Sequence, residues 1–569
     1  MLGMLIVFFN QGFSLFAVDS VVLKAEKQRV QVIKKVSPSV VAVFGADGGG
    51  GGSGVLISPN GFALTNYHVV AGTNPFFKCG LNDGNVYDAI LVGLDPTGDV
   101  ALIQLLGRDD FPVSEMGDSD SVRVGDWAYV IGNPFLLASD FQPTVTYGIV
   151  SGTHRYQYPS NSFLEYTDCI QVDSSINPGN SGGPLFDSAG KIIGINGRAS
   201  FEKRGRVNSG AGYAISINQI KHFMGHLQSG RVVDHATLGA YLISDSEGNL
   251  RVEDILETSD AYLRGLRIDH RIISFAGRPI TSLNQYKNIL GIFPKGWIVP
   301  IVYRENDQRK EIRVRLSGLH QQSELDKYSL PEPGWGKKTQ KLPFKLPSFM
   351  KKKKMPKPPE KHRHLFKAKP GYANYYFNEK EQGRFLKSMK KWGDYSKLGN
   401  HWTIMGRTDK GEKAEFLITE KAVGLEINDK AYIQLLEGEA IDEPKGTGGL
   451  LTAISHLFRL LKQGQNGFTE FYYLGYEPEK TNAEDKQKYH HVLVSVYQGV
   501  MVRWLYSVSD LRLTGMDLFL QDGVDPCSIR WSKVSKYNSI YFPQKVRIIH
   551  GDQLYREIEI ENLQFIKKK

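Results

Sequence analysis

Three separate stretches of the 569-residue chain each supply one residue type that catalysis by a serine hydroxyl requires. They are His68 in TNYHVV, Asp99 in DPTGDVAL and Ser181 in NPGNSGGP. A serine hydroxyl is a weak nucleophile unless an imidazole takes its proton, and a carboxylate must then fix the imidazole tautomer and stabilise its charged form. We therefore predict that Ser181 attacks a carbonyl carbon, that His68 is general base and then general acid, and that Asp99 orients His68.

The glycines around Ser181 predict an anion-stabilising turn. A tetrahedral intermediate needs backbone N–H groups aimed at its oxyanion, and glycine readily adopts the backbone conformations of such a turn. We expect the N–H groups of Gly179 and Ser181 to form this oxyanion hole, with Asn180 between them. Gly182 and Gly183 would let the following strand approach closely.

The elements that must position these residues are mostly short strands. From residue 32 to 228, short apolar runs alternate with glycine and asparagine turns, which is typical of an antiparallel barrel or sandwich. Apolar residues at helical spacing predict a closing helix over 218–227. The order His, Asp, Ser is that of chymotrypsin-like double β-barrels, and it differs from the nucleophile-first order of α/β-hydrolases.

The segment from Asp173 to Leu185 resembles the signature of trypsin-like serine endoproteases of the HtrA/Deg kind. Residues 117–135, 145–151 and 212–215 also match that family in order, so the resemblance covers about 35–228 and extends less closely to 318. It implies cleavage of unfolded or misfolded proteins in envelope quality control, without cofactor or metal. Members of the family are commonly homotrimers.

The same resemblance implies where substrate binds. Substrate would pair as an added strand beside Tyr213, Ala214 and Ile215. The residue before the scissile bond would enter a pocket formed partly by Ile195, Asn196 and Gly197.

Residues 233–319 resemble a PDZ domain, an α+β module. The implied site for a peptide C-terminus is the loop and strand Leu238, Gly239, Ala240 and Tyr241, where backbone N–H groups hold the carboxylate and a sheet edge pairs with the peptide. The chain departs from the family pattern where Asp269-His270 replaces a Gly-Asp pair.

Basic charge is concentrated in one segment. The net charge is +10, but residues 337–369 alone contain 13 Lys or Arg against Glu360, so the rest of the chain is nearly neutral. This distribution argues against a nucleic-acid-binding face. We predict a Lys/Pro-rich extended linker over 320–370, with attraction to an anionic surface as a secondary role.

Residues 371–569 are predicted to form a β-rich α+β domain without a recognisable catalytic constellation. Strands are expected over 468–476, 491–497, 501–508 and 545–560, and one apolar helical face over 450–461. The stretch 370–378 weakly resembles extensions on secreted proteins of planctomycete-type bacteria. The late strands suggest the curved antiparallel sheet found in lipoprotein carriers.

Residues 1–17 predict a signal peptide or an N-terminal anchor, and hence an exported, periplasmic or cell-envelope protein. Cys79, Cys169 and Cys527 form no close pair, so buried free thiols are expected, although a Cys79–Cys169 bridge stays open. Two alternatives to a peptidase also stay open. One is a chaperone or peptide-binding protein with a protease fold and no turnover, and the other assigns the main activity to residues 371–569.

Overall fold

The computed structural model describes most of the chain. Its described residues are 19–44, 51–133, 140–157, 164–177, 179–201, 208–331, 360–437, 443–479, 488–521, 523–551 and 553–566. The predicted signal or anchor over 1–17 lies outside them. Within these ranges no helix is both long and apolar enough to cross a membrane.

The first barrel follows helix α1 (Ser20–Val36) and closes in the order β1-β2-β3-β6-β5-β4. Its strands are β1 (Val40–Phe44), β2 (Gly51–Leu56), β3 (Phe62–Thr65), β4 (Phe76–Gly80), β5 (Val86–Asp95) and β6 (Val100–Leu105), with the short helix α2 (Tyr67–Val70) after β3. Neighbouring residues point to opposite faces of a strand. Val41 and Val43 fill the barrel, whereas Val40 joins a core shared with the second barrel. Both faces are therefore apolar.

The second barrel closes in the order β10-β11-β12-β9-β8-β7. Its strands are β7 (Trp127–Gly132), β8 (Thr144–Gln157), β9 (Tyr166–Val172), β10 (Pro184–Phe186), β11 (Ile192–Phe201) and β12 (Asn208–Ser216). Helix α3 (Ile217–Gln228) follows, as its apolar spacing predicts, and buries Ile220, Phe223 and Leu227 in the shared core. The two barrels confirm the predicted chymotrypsin-like double-barrel fold.

The third unit is a small α+β module. Its main sheet has the order β14-β15-β16-β18-β19, β17 pairs with β16, and β13 pairs with β20. The elements are β13 (Ala236–Thr237), β14 (Ala240–Ser244), β15 (Leu250–Ile255), α4 (Asp260–Leu263), β16 (Arg271–Phe275), β17 (Arg278–Pro279), α5 (Leu283–Leu290), β18 (Ile298–Glu305), β19 (Gln308–Arg315) and β20 (Ser317–Gly318). Helix α5 packs against β8 and β9 of the second barrel.

The predicted linker is structured at both ends. Helix α6 (Gln322–Leu325) follows the small module, and residues 332–359 lie outside the described ranges. Beyond them, Phe366 packs into the core shared by the two barrels. The prediction of an extended chain over all of 320–370 is therefore wrong at these ends, because apolar side chains within a basic segment find cover on the barrel.

The carboxyl-terminal part is one eleven-stranded antiparallel sheet of order β24-β23-β22-β21-β31-β30-β29-β28-β27-β26-β25. It contains α7 (Tyr375–Met389), β21 (His401–Thr408), β22 (Lys413–Ile418), β23 (Ala422–Ile427), β24 (Lys430–Leu435), α8 (Leu450–Gln463), β25 (Glu470–Pro478), β26 (Tyr489–Tyr497), β27 (Val500–Ser507), β28 (Leu513–Phe519), β29 (Cys527–Tyr537), β30 (Ile540–His550) and β31 (Gln553–Ile566). Alternate residues of the strands pack on the apolar face of α8. The predicted strand over 545–560 is a hairpin that turns at Gly551, whose φ is +59°.

Candidate active site

The three predicted catalytic residues are carried by loops and a short helix at the junction of the two barrels. His68 lies on α2, directly after β3. Asp99 occupies the tight turn between β5 and β6 with a φ of +56°, a conformation that aspartate tolerates better than most residues. Ser181 lies in the loop between β9 and β10. Each side chain therefore extends from an irregular segment that a barrel holds in place.

His68 and Asp99 are directly paired. The His68 Nδ1–H group faces both carboxylate oxygens, at 2.8 Å from Oδ2 and 3.0 Å from Oδ1, and the His68 backbone N–H donates to Oδ1 at 3.0 Å. Asp99 is fully buried. Since a carboxylate only accepts, Nδ1 carries the proton and Nε2 is left to act as a base.

The pairing changes the pKa of His68. Burial of the ring lowers this pKa, but the hydrogen bond to Asp99 and the negative charge of Asp99 together outweigh burial and raise it above its ordinary value. A raised pKa strengthens Nε2 as a proton acceptor. The pair therefore has the chemistry of a general base.

Asp99 has one further side-chain donor that the sequence patterns do not point to. Tyr166, the first residue of β9, donates its O–H to Asp99 Oδ2 at 2.6 Å and is only 4% exposed. No sequence motif marks a tyrosine at this position as functional. Its role follows only from the fold, which brings β9 of the second barrel against a turn of the first.

The Ser181 segment lies directly against β2 and against the end of β3, the strand that leads to His68. The Ser53 N–H donates to the Ser181 carbonyl at 2.8 Å. A side-chain carbon added at Gly182 would overlap Thr65 Oγ1 and lie 3.0 Å from the Asn66 nitrogen. The fold therefore brings the third predicted residue to the other two.

The Ser181 hydroxyl itself donates to the carbonyl of Gly197 at 3.4 Å. Within the described residues it makes no hydrogen bond to His68. Catalytic hydrogen bonds are often long or misaligned without substrate and tighten in the complex. A rotation of the Ser181 side chain toward Nε2 is the step that attack on a carbonyl would require.

Among the described residues, two N–H groups of the turn at Ser181 find no acceptor. The Asn180 N–H donates to the Asn177 carbonyl at 2.9 Å, which closes the turn, and Gly179 has a φ of +105° that favours glycine. Within the described part of the chain, the N–H groups of Gly179 and Ser181 donate to no protein atom. Two neighbouring unused donors beside a serine hydroxyl are what an oxyanion hole requires.

The two predicted substrate-binding triplets lie on adjacent strands, but one prediction is wrong. At Tyr213 and Ala214, β12 is paired with β11 on one side and β9 on the other, and Ile215 pairs with Ile195. A strand paired on both sides offers no free edge for substrate. Strand addition at Tyr213 and Ala214 is therefore excluded in this arrangement, and Ile215 is already paired on its β11 side.

Of the second triplet, Ile195 and Asn196 have buried side chains, and Gly197 contacts the active site. The Ile195 side chain is buried in the core shared by the barrels. Asn196 is also buried, and its Nδ2–H₂ group donates to the carbonyls of Gly183 at 2.8 Å and Pro184 at 3.0 Å. Neither side chain is free to line a pocket. Gly197 is the member that reaches the site, because its carbonyl accepts the Ser181 hydroxyl.

The residues predicted to bind a peptide C-terminus lie together on the small module. Gly239 turns with a φ of +73°, and β14, which contains Ala240 and Tyr241, is an edge strand of its sheet. Tyr241 is 61% exposed, whereas Leu238 is buried in the module core. Asp269 stands where the family pattern has glycine, and its φ is +67°. Because aspartate can adopt this conformation, the replacement of glycine adds little backbone strain.

The three cysteines are free and buried, as expected. In the described ranges, no group of three or more His, Cys, Asp or Glu side chains is arranged to hold a metal ion. Cys79 lies on β4 of the first barrel and Cys169 on β9 of the second.

Comparison with known proteins agrees with this geometry. Residues 52–195 match the model of the trypsin-like peptidase domain. A DegP-like periplasmic serine endoprotease of Chlamydia pneumoniae is 36% identical over 267 residues, which are 45% of this chain and 52% of that protein. A second, from Pseudomonas fluorescens, is 32% identical over 302 residues, which are 51% of this chain and 61% of that protein.

Among solved structures, the HtrA-type protease AlgW with a tripeptide covers 52% of this chain and 98% of its own, at 29% identity and a TM-score of 0.42. The chain spans about half the length of the curated relatives it matches. By sequence, residues 52–195 therefore match a trypsin-like peptidase domain, and about half of the chain is similar to the DegP-like serine endoproteases.

Proposed function

We propose that this protein is a serine endopeptidase that hydrolyses peptide bonds of unfolded or misfolded proteins. The observation that carries the proposal is the fully buried Asp99 carboxylate bonded to His68 Nδ1. Beside this pair lies a serine in a turn with two N–H groups that find no acceptor among the described residues. Such an arrangement is built to generate a serine nucleophile and to stabilise the oxyanion formed by its attack.

In the proposed mechanism, His68 Nε2 removes the Ser181 hydroxyl proton as the oxygen attacks the substrate carbonyl. The N–H groups of Gly179 and Ser181 stabilise the oxyanion, and Asp99 stabilises the imidazolium that forms. The imidazolium then protonates the leaving amine, which leaves an acyl-enzyme. A water molecule deprotonated by His68 hydrolyses that ester and restores Ser181.

We place substrate along β11 from Gly197 onward rather than along β12. Strand β10 pairs with β11 only as far as Ile195, so within the described residues the outer edge of β11 carries no strand partner beyond it. The Gly197 carbonyl already lies beside the Ser181 hydroxyl. An extended peptide paired there would bring its scissile bond to the nucleophile.

Location and further partners follow the relatives. Their names place them in the periplasm, and we propose the same compartment, with a role in envelope quality control. We propose that the open edge of β14 binds a peptide C-terminus. The trimer and the attraction of the basic segment to an anionic surface stay predictions.

The test uses the full chain with an unfolded substrate such as casein, and a fluorophosphonate probe located by peptide mapping. We expect cleavage, labelling at Ser181, and loss of both in Ser181→Ala. Ser188→Ala is the matched control, because Ser188 is exposed in the turn between β10 and β11, and it should retain both. Cleavage that persists in Ser181→Ala, or a folded wild-type chain that neither cleaves nor labels, would reject the peptidase and favour the chaperone alternative.

A further inference from the structure

We propose that Tyr166 is a positioning residue for this reaction. Its hydroxyl holds the Asp99 carboxylate, and its ring contacts Gly197, whose backbone carbonyl accepts the hydrogen bond of the Ser181 hydroxyl. The inference rests on the proposed peptidase function and adds to the triad a residue from the second barrel.

The hydroxyl of Tyr166 shares an oxygen with the catalytic pair. Asp99 Oδ2 accepts both the Tyr166 O–H at 2.6 Å and the His68 Nδ1–H at 2.8 Å. Oδ1 accepts from the backbone N–H of His68. Within the described residues, every donor to this carboxylate other than Tyr166 therefore belongs to His68 itself. Tyr166 is what fixes the carboxylate from outside the pair.

The ring of Tyr166 has a second contact at the site. A side-chain carbon added at Gly197 would lie 2.6 Å from Tyr166 Cε1 and 3.0 Å from its oxygen, so the ring covers Gly197 closely. The carbonyl of Gly197 is the acceptor of the Ser181 hydroxyl. Tyr166 therefore contacts both Asp99, which orients His68, and Gly197, which accepts the hydrogen bond of Ser181 in this structure.

The position of Tyr166 does not depend on its own hydroxyl. The next two residues of β9 are held by helix α5 of the small module. The Asp168 N–H donates to Asn288 Oδ1 at 2.6 Å. Gly291, which caps the end of α5, packs so closely on Thr167 that an added side-chain carbon would overlap Thr167 Cγ2. Removal of the hydroxyl alone should leave the strand and the ring in place.

The expected consequence concerns His68. Without the Tyr166 hydrogen bond, the N–H groups of His68 alone hold the carboxylate within the described residues, so its orientation varies more and fewer molecules hold the productive geometry. The carboxylate charge is also no longer shared with a second donor, so it should interact more strongly with the imidazolium and raise the pKa of His68. Among the described residues, Tyr67 and Cys169 are the further titratable groups on which the charge of Asp99 acts, and burial raises the pKa of both, so they stay neutral near pH 7.

The test compares Tyr166→Phe with the wild type in kcat, KM and the pH dependence of kcat/KM. A hydrogen bond to a charged group of this kind corresponds to a fall of about tenfold to a hundredfold in kcat/KM, expressed mainly in kcat. The acid limb of the profile should move to higher pH. Tyr129→Phe, which removes a hydroxyl from β7 of the same barrel, is the matched control and should change neither quantity.

The outcomes separate the two proposals. An inactive wild-type chain would reject the peptidase function itself. If the wild type is active, activity of Tyr166→Phe within about twofold of it, or a fall in rate with an unmoved acid limb, would overturn the positioning role. If the variant melts well below the Tyr129→Phe control, the hydroxyl serves stability rather than positioning, and the proposal is equally rejected.

Discussion

A buried charged pair joins the catalytic unit to the small module, and its removal should loosen that junction. His235 Nε2 lies 2.9 Å from Asp95 Oδ1, and His235 Nδ1 lies 2.9 Å from the Gly291 carbonyl. Both neighbours can only accept hydrogen bonds, so both ring nitrogens must carry protons and His235 is an imidazolium. The side chains of His235 and Asp95 are 3% and 1% exposed.

Two substitutions of Asp95 show how much free energy this pair contributes to keeping the junction closed. Asp95→Ala leaves the His235 Nε2–H of the imidazolium without an acceptor and its charge without a counter-charge. It also removes the acceptor of the Gly98 N–H, which donates to Asp95 Oδ1 at 2.8 Å. Breaking a buried pair in this way costs about 3 to 5 kcal/mol. Asp95→Asn keeps an oxygen for Gly98 and offers an N–H to a neutral His235, whose Nδ1–H still donates to Gly291. Its cost should be at most about 1.5 kcal/mol, the scale of one hydrogen bond.

Hydrogen exchange measured by mass spectrometry can follow the opening of this junction. The Val233 N–H donates to the Leu94 carbonyl at 2.8 Å, and the Leu94 N–H donates to the Arg231 carbonyl at 3.0 Å. At equilibrium, exchange of these amides reports the free energy of local opening. We expect Asp95→Ala to accelerate it about 150-fold to 5,000-fold, on the scale of tenfold per 1.36 kcal/mol, and Asp95→Asn to accelerate it by less than about fifteenfold.

The pair should also make the junction sensitive to pH. Burial lowers the pKa of His235, but the charge and hydrogen bond of Asp95, with the hydrogen bond to Gly291, outweigh it and raise this pKa above its ordinary value. A raised folded-state pKa stabilises the junction at low pH, and the contribution is lost as pH rises through that pKa. Asp95→Asn should remove this dependence. Equal exchange in the wild type and Asp95→Ala at pH 6 would refute the reasoning.

Two further predictions concern the active site. His68 must be neutral to accept a proton, and its pKa is raised. The kcat/KM for casein-derived peptides should therefore rise with pH through an acid limb whose midpoint lies above the ordinary pKa of histidine. A midpoint below that pKa would contradict the pairing with Asp99. Gly197→Ala should lower the rate of fluorophosphonate labelling at least about tenfold, because the new carbon would lie 2.6 Å from Tyr166. Gly424→Ala, which has nothing nearer than 3.7 Å, is the control, and equal labelling of both variants would contradict the close contact.

Residue types and spacing pointed to His68, Asp99 and Ser181 as one site, and the structure pairs His68 with Asp99 and places the Ser181 segment beside them. Their catalytic chemistry stays a prediction. Two of these stretches contain residues whose backbone conformation favours the residue type found there: Asp99 itself, and the glycines on either side of Ser181. The positive φ of Asp99 and of Gly179 shows this preference directly. The double barrel could be predicted for a similar reason, because its strands are short apolar runs with a turn after each one.

Strand edges could not be predicted in the same way. Whether Tyr213 offers a free edge depends on which strands lie beside β12, and pairing between distant segments is not visible in either segment alone. Tyr166 is hidden for the same reason, since it lies 67 residues from Asp99 along the chain and meets it only when the barrels close.

The attachment of the carboxyl-terminal part shows the same principle on a larger scale. Phe377, on α7, is buried in the core shared by the two barrels, and Asn378 donates to the carbonyls of Ser229 at 3.0 Å and Tyr473 at 2.8 Å. One buried amide therefore joins α7 both to the end of α3 and to β25 of the large sheet. The basic segment predicts an extended linker, but these contacts join the barrels directly to the large sheet. The length of chain between the barrels and the large sheet therefore does not set the distance between them.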